Sequence, residues 1–247
     1  MKTFDAPINV LGTHNYYDYK DFWAPEVIKY MGRYYLVMTM SSPSGHRGSY
    51  IFVGDTPLGP FHSHGQGLIT PSNMMCLDGH IFVEDNQPYL FFCHEWVECL
   101  DGEILVAKLD EQLTKISEKP VLLFKASQAP WARPLAGQSY VTDGPFVINR
   151  NGRYHMLWSS FSAQGYALGL AVASRGGDHL RSEPSFEFTE DSKEGIRRFG
   201  IAESAFRLEY KGKGKVVKFF EERSALADCL NVCKNTISQR TARQTRA

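Results

Sequence analysis

The sequence predicts an all-β fold of the β-propeller type, and three observations lead to this prediction. A sequence frame recurs along the chain, each copy reads as several short strands joined by turn signals, and helical periodicity is scarce before about residue 190. A period of roughly 40–65 residues built from short strands is typical of propellers and other β-repeat arrays. The chain has 247 residues, of which 43% are hydrophobic, so it is long enough to bury the core of such a fold.

The repeated frame is Pro-x-Val-Ile-x-x-x-Gly-Arg-Tyr. It begins at Pro25 and again at Pro145, which are 120 residues apart. Between these copies, "LDGHIFVEDNQPYLFF" (77–92) fits the same register, with His80 in the place of the proline and Tyr89 in the place of the tyrosine. Because equivalent residues of a repeat occupy equivalent structural positions, each copy is predicted to form one blade.

The strands of each copy are short apolar runs bounded by turn residues. In the third copy they are "PFVIN", "RYHMLWSSF" and "GYALGLAVAS", with "RNG" as a turn. The first copy gives "EVIKY", "RYYLVMTM" and "GSYIFVGD", with "GPFHSHG" as an outer strand, and the middle copy gives "HIFVED", "PYLFFCHEW" and "GEILVAKLD". The segment "DEQLTKISEK" (110–119) is interpreted as a polar connection between blades, with a turn of helix as the alternative.

Candidate functional residues stand two positions ahead of the Pro/His position, where the chain has Trp23, Asp78 and Asp143. The innermost strands of all blades line one channel, so these side chains are expected to converge. Two carboxyl groups and an aromatic ring suit glycosidic bond hydrolysis, in which one carboxyl protonates the leaving oxygen, another handles water and the ring stacks on a sugar. The structural alternative is that the Asp-Gly pairs are ordinary turns and the tryptophan belongs to the core.

Further candidates for the edge of the pocket are His94, Glu95 and Trp96, in the segment "CHEW" just after the second strand of the middle copy, and His94 and Trp96 are the candidates for sugar contacts. Their alternative interpretation is that they are ordinary residues at a strand end. The segment is not a His-Glu-x-x-His zinc motif, and the chain has neither a Gly-rich phosphate loop nor a Gly-x-Ser-x-Gly elbow. The residues themselves therefore indicate no metal site.

The ordered motifs "DFWAPEVIKYMGRYYLVMT" (21–39), "DTPLGPF" (55–61), 77–92, "VTDGPFVINRNGRYHMLWSSF" (141–161) and "GYALGLAVAS" (165–174) resemble glycoside hydrolase family 43. The resemblance implies a five-bladed propeller that cleaves α-L-arabinofuranosyl or β-D-xylosyl linkages of plant polysaccharides or oligosaccharides with inversion. In it Asp143 matches the general acid, and Asp78 matches the Asp that orients the acid and raises its pKa by like charge. A calcium ion on the propeller axis is also implied.

The sequence departs from the family pattern at three places. Asp143 stands where much of the family has Glu. The general base belongs to a blade one repeat before Pro25, so the chain is expected to lack that blade, and Asp5, Asp18 and Asp21 are candidate substitutes. A Gly-His-Gly-type segment expected after the third copy is not found, which indicates truncation at both ends. The alternative functions are a non-catalytic carbohydrate-binding propeller and an inactive fragment without a general base.

Charge divides the chain into two predicted domains, the propeller (1–190) and a basic extension (191–247) that is partly helical or disordered. Residues 1–192 carry a net charge of −7 and residues 193–247 a net charge of +7. Within the extension, "VVKFFEERSALADCLNVCKNTI" (216–237) has the spacing of an amphipathic helix. The extension is either a basic tail for nucleic acid or an anionic surface, or a non-native extension, from a shifted frame or rearranged gene, joined to a truncated propeller. Because its aromatic spacing matches no nucleic-acid-binding motif, the second interpretation is favoured.

The remaining features concern compartment and partners. The five cysteines form neither a disulfide framework nor a zinc pattern, and no apolar run approaches the ~18 residues of a membrane span. The first residues lack the apolar core of a signal peptide, which indicates a cytoplasmic protein, or a secreted one if the true N-terminus lies upstream. The expected partner is an arabinose- or xylose-containing polysaccharide, with neither nucleic acid nor membrane, and no oligomeric state follows from the sequence.

Overall fold

Three four-stranded antiparallel sheets make up the regular structure of the described residues. The computed structural model describes residues 10–12, 16, 18–150 and 152–174, and the backbone of 187–190. The chain divides into two compact units, Met1–Glu190 and Asp191–Ala247. The second unit, including the predicted amphipathic helix, lies outside the described residues.

Each sheet is a simple meander in which consecutive strands pair. The first sheet contains β1 (Lys20–Tyr30), β2 (Arg33–Ser41), β3 (Arg47–Gly54) and β4 (His62–Leu68). The second contains β5 (Cys76–Glu84), β6 (Gln87–His94), β7 (Glu103–Lys108) and β8 (Val121–Lys125). The third contains β9 (Asp143–Arg150), β10 (Arg153–Ser162), β11 (Gly165–Ser174) and β12 (Glu187–Glu190). A short helix α1 (Trp96–Cys99) follows β6, and a 3₁₀ turn (Ala126–Gln128) follows β8.

The repeated frame forms the first hairpin of each sheet. Between β1 and β2 the two-residue loop Met31-Gly32 has φ values of 44° and 80°, and between β5 and β6 the loop Asp85-Asn86 has φ values of 48° and 65°. Two successive residues with positive φ are typical of the type I′ turn, whose twist matches that of the flanking strands. This geometry explains the recurring Gly-Arg-Tyr of the frame, because the glycine closes the loop and the next strand starts directly after it.

The core lies between neighbouring sheets rather than within one of them. Strand β6 is buried on both faces, with Leu90 and Phe92 in the cluster shared with the first sheet and Phe91 and Cys93 in the cluster shared with the third. Such a strand reads as a continuous apolar run instead of an alternating one. Trp158 of β10 has 0% exposure and packs in the cluster that the second sheet shares with the third.

The prediction of an all-β propeller-type fold is confirmed, with three blades in the described part of the chain. The segment 110–119 forms turns around a bridge between Leu109 and Ile116, not a helix. It joins β7 to β8 within the second sheet, so the prediction that it connects two blades is wrong. Strand β4 covers most of the expected outer strand of the first copy, whereas β8 and α1 were not predicted. In the residues that the structure describes, no helix has the length and hydropathy needed to cross a membrane.

Candidate active site

Asp78 and Asp143 lie side by side at the start of the innermost strands of the second and third sheets. The backbone N–H of Gly144 donates a hydrogen bond to Oδ2 of Asp78 at 2.8 Å. On the other side, the hydroxyl of Thr39 accepts a hydrogen bond from the Asp78 N–H at 2.8 Å. Asp78 has a φ of +56° and occupies a bulge between Leu77 and His80, which turns its side chain out of the regular ladder.

Both carboxyl groups have raised pKa values. Burial is the main cause for Asp78 and raises its pKa to about 6, with the Gly144 N–H opposing this and the charge of Asp143 adding to it. For Asp143, burial raises the pKa, and a hydrogen bond from the Tyr166 hydroxyl at 2.7 Å lowers it. The charge of Asp143 adds to the rise in the pKa of Asp78, and because repulsion between two acids is mutual, it favours the protonated form of each.

A third carboxyl group, Glu95, belongs to the same cluster. Its side chain is buried, and its Oε1 accepts a hydrogen bond from Nη1 of Arg47. Burial raises the pKa of Glu95, Arg47 opposes this, and the charges of Asp143 and Asp21 add to the rise. The sequence placed Glu95 at the edge of the pocket with His94 and Trp96, but it did not predict that Glu95 joins the two acids. The available signal was an acid two residues beyond the apolar run "PYLFFC", where a buried carboxylate needs a partner.

Trp23 lies in β1 and is linked to this cluster through Arg47. The Arg47 Cζ is 4.6 Å from the centroid of the indole ring, which is a cation–π distance. Arg47 also donates from Nη2 to Oδ2 of Asp21 at 3.1 Å, and from Nε to the Ser41 hydroxyl at 3.2 Å. Trp23 remains 44% exposed, so part of the ring is open to a ligand. Arg47 was not anticipated, because it lies outside the repeated frame.

His94 and Trp96 lie apart from the acid pair in their polar contacts. Both ring nitrogens of His94 face carboxylates, Nδ1 at 2.8 Å from Glu103 and Nε2 at 2.9 Å from Glu98. Trp96 is the half-buried first residue of α1. Within the described residues, no hydrogen bond or ion pair joins either side chain to Asp78, so the sugar contacts of His94 and Trp96 stay predictions.

The candidate bases differ in their surroundings. Asp5 lies outside the described residues, and Asp18 is exposed in a turn before β1. Asp21, at the start of β1, accepts hydrogen bonds on Oδ2 from Ser41 at 2.6 Å and from Arg47. The Ser41 hydrogen bond is the largest cause that lowers the pKa of Asp21, with Arg47 acting in the same direction, so this carboxyl is ionised.

The fit of a calcium ion can be judged from the side chains near the axis. In the described ranges, no group of three or more His, Cys, Asp or Glu side chains is arranged to hold a metal ion. Several carboxylate or carbonyl oxygens are what Ca²⁺ requires. The described side chains therefore do not fit the implied ion, and no step of the chemistry below is assigned to it.

The fold and the paired axial carboxyl groups define a propeller of the glycosidase class. The family model described as Glycosyl hydrolases family 43 matches residues 2–198, and the chain belongs to this family. A second model, Aldehyde ferredoxin oxidoreductase, domains 2 & 3, matches residues 151–246, which is less than half of the chain and overlaps β10 and β11 of the propeller. No curated protein matches the chain significantly.

Solved structures support the same assignment. The endo-arabinase from Bacteroides thetaiotaomicron VPI-5482 is 41% identical, with a TM-score of 0.64, over 76% of this chain and 66% of that chain. A thermostable family-43 glycoside hydrolase is 27% identical, with a TM-score of 0.59, over 68% of this chain and 54% of that chain. The endo-1,4-beta-xylanase from the same Bacteroides strain shares the fold at 24% identity, with a TM-score of 0.52, over 72% of this chain and 55% of that chain. The chain spans less than two thirds of these proteins.

Proposed function

We propose that this protein hydrolyses α-L-arabinofuranosyl or β-D-xylosyl linkages of plant polysaccharides, with arabinan as the first substrate to test. The observation that carries the proposal is the direct contact between the segments of Asp78 and Asp143, which brings two half-buried carboxyl groups with raised pKa values together. The exposed ring of Trp23 supplies an apolar face for a sugar. The 41% identity to an endo-arabinase favours arabinose-containing chains.

In the proposed mechanism Asp143 is the general acid. Neighbouring carboxyl groups that interact electrostatically titrate as a pair, and the raised pKa values of both keep one of them protonated into the mildly acidic range. Asp143 delivers that proton to the departing glycosidic oxygen, and the Tyr166 hydroxyl stabilises the carboxylate that is left. Asp78, fixed by Gly144 and Thr39, favours the protonated state of Asp143 and keeps it oriented.

Inversion requires a carboxylate that activates water on the opposite face of the sugar. Asp21 is our candidate among the described residues, because it is ionised and its Oδ1 accepts no hydrogen bond from another described residue. Asp21→Asn is then expected to lower the rate ~10²–10⁴-fold, and azide is expected to restore part of it by replacing water as the nucleophile. A rate unchanged by Asp21→Asn would remove this residue from the mechanism.

The deciding experiment is sugar release from arabinan, arabinoxylan, and aryl arabinofuranosides and xylosides, with wild type, Asp143→Asn and Asp55→Asn compared. Asp55 is a matched control because its side chain is 86% exposed. We expect Asp143→Asn to lose ~10²–10⁴ of the rate and Asp55→Asn to keep it. Folding is checked by circular dichroism. A folded wild type that binds arabino-oligosaccharides without ever releasing sugar would refute hydrolysis and establish a carbohydrate-binding propeller.

A further inference from the structure

Arg47 is held rigidly at the edge of the candidate site. It begins β3, and all three nitrogens of its guanidinium donate hydrogen bonds to neighbouring side chains: Nε to Ser41, Nη2 to Asp21 and Nη1 to Glu95. These partners come from β2, from β1 and from the segment after β6. A planar group fixed at every nitrogen cannot rotate about its own axis, so its faces point in set directions.

The guanidinium carbon of Arg47 lies over the Trp23 ring, with 4.6 Å between Cζ and the ring centroid. Trp23 lies between two irregularities of the β1–β2 ladder, one between Lys20 and Trp23 and the other between Trp23 and Glu26. Regular strand pairing therefore does not fix the orientation of the indole. The Arg47 side chain is only 20% exposed, which keeps water from weakening the cation–π contact.

Glu95 keeps Arg47 in this place. Its side chain is 5% exposed, and its Oε2 is buried without a hydrogen-bond partner in the described structure. An ionised carboxylate in such a position is stable only beside a cation, so moving Arg47 away would leave a buried charge unpaired. The charge of Glu95 also acts on Asp78. One arginine thus connects the aromatic ring of the site to its acids.

We propose that Arg47 is a positioning residue for the sugar platform: clamped by Asp21 and Glu95, its guanidinium backs one face of Trp23 and holds the ring ready to stack on a sugar with the other. The inference rests on the proposed function, in which Trp23 binds the substrate. It assigns no proton transfer to Arg47, because all its nitrogens are occupied by Ser41, Asp21 and Glu95.

The test is a double-mutant cycle with Arg47→Lys and Trp23→Phe, with Arg33→Lys as the matched control on the same sheet. Lysine keeps the positive charge beside Glu95 and removes the planar face. We expect Arg47→Lys to weaken arabinotriose binding ~3–10-fold, by titration calorimetry, and to raise KM for arabinan similarly. In the Trp23→Phe background the same change should have much less effect, because the residues act together. Arg33 forms an exposed pair with Asp55, and Arg33→Lys should change nothing.

Acrylamide quenching of tryptophan fluorescence gives a readout without substrate, with Trp23→Phe used to isolate the Trp23 signal. More efficient quenching of Trp23 in Arg47→Lys supports the inference. Unchanged quenching overturns it, as does a loss of arabinotriose affinity that is equally large with and without Trp23. If wild type neither binds arabinotriose nor releases sugar, the proposed function fails, and the quenching result alone still decides whether Arg47 orders the ring.

Discussion

Replacing Asp78 with asparagine is expected to stabilise the fold above pH 6 while removing activity. Asp78 has a pKa raised from 3.8 to about 6, mainly by burial. Each pH unit of such a difference corresponds to ~1.36 kcal/mol, so the ionised folded state is penalised by at most about 3 kcal/mol. Asparagine carries no charge, and its side-chain oxygen can still accept the hydrogen bond from Gly144. It also tolerates the φ of +56° found at this position.

The sign of the pH dependence follows from proton binding. Between pH ~4 and ~6 the folded state holds a proton on Asp78 that the unfolded chain has released, so wild-type stability falls as the pH rises through this window. The penalty is absent below pH ~4 and complete above pH ~6. Because Asp78 is partly exposed and loses a charged hydrogen bond to Gly144 on substitution, we expect the measured gain at pH 7.5 to be ~1–3 kcal/mol.

The assay is urea unfolding of wild type and Asp78→Asn at pH 4, 5, 6 and 7.5, followed by near-ultraviolet circular dichroism. The control Asp55→Asn removes one member of an exposed ion pair and should change stability by less than ~1 kcal/mol at every pH. The reasoning is refuted if Asp78→Asn is no more stable than wild type at pH 7.5. It is equally refuted if the advantage is as large at pH 4 as at pH 7.5.

Two further predictions concern the third sheet. Tyr166→Phe removes the hydroxyl that lowers the pKa of Asp143, so the alkaline limb of the pH–rate profile for arabinan should move to higher pH; an unmoved limb would contradict the role of this hydrogen bond. Gly169→Ala would place a Cβ 2.1 Å from Cζ2 of the buried Trp131, and this overpacking should cost ~1–3 kcal/mol or more in thermal unfolding. Gly152→Ala is the comparison variant. Its Cβ would meet nothing within 4 Å, so any loss of stability there comes from the strain of its φ of +72° and not from crowding.

The sequence predicted the elements that repeat. The frame beginning at Pro25 and Pro145 located the first hairpin of each blade, because strand period and turn chemistry are both local signals. The convergence of Asp78 and Asp143 followed from the same register. Their contact through the Gly144 N–H agrees with that prediction in position, although the catalytic roles of both residues stay predictions.

What the sequence could not predict arises from side chains outside the repeat. Arg47 and Glu95 are 48 residues apart in the chain and meet only because adjacent blades pack together. Neither lies in the repeated frame, so no pattern relates them. The pKa values of Asp78 and Asp143 were likewise unpredictable, because they depend on how deeply each acid is buried and on the hydrogen bond from the Tyr166 hydroxyl. Such three-dimensional details decide which acid holds the proton.

The backbone itself identifies the candidate site. Among the described residues outside glycine, the positions with positive φ inside a strand are Asp21, Ala24 and Asp78, at 57°, 44° and 56°, while the others lie in turns and loops. All three fall at breaks in the register of β1 or β5. Non-glycine residues in this region cost ~1–3 kcal/mol each and persist where the surrounding structure holds them. The strain energy is therefore stored in the strand segments that carry Trp23, Asp21 and Asp78, and packing in the cores between blades offsets it. A purely structural role for the Asp-Gly turns would not require strain there, so its location favours a functional one.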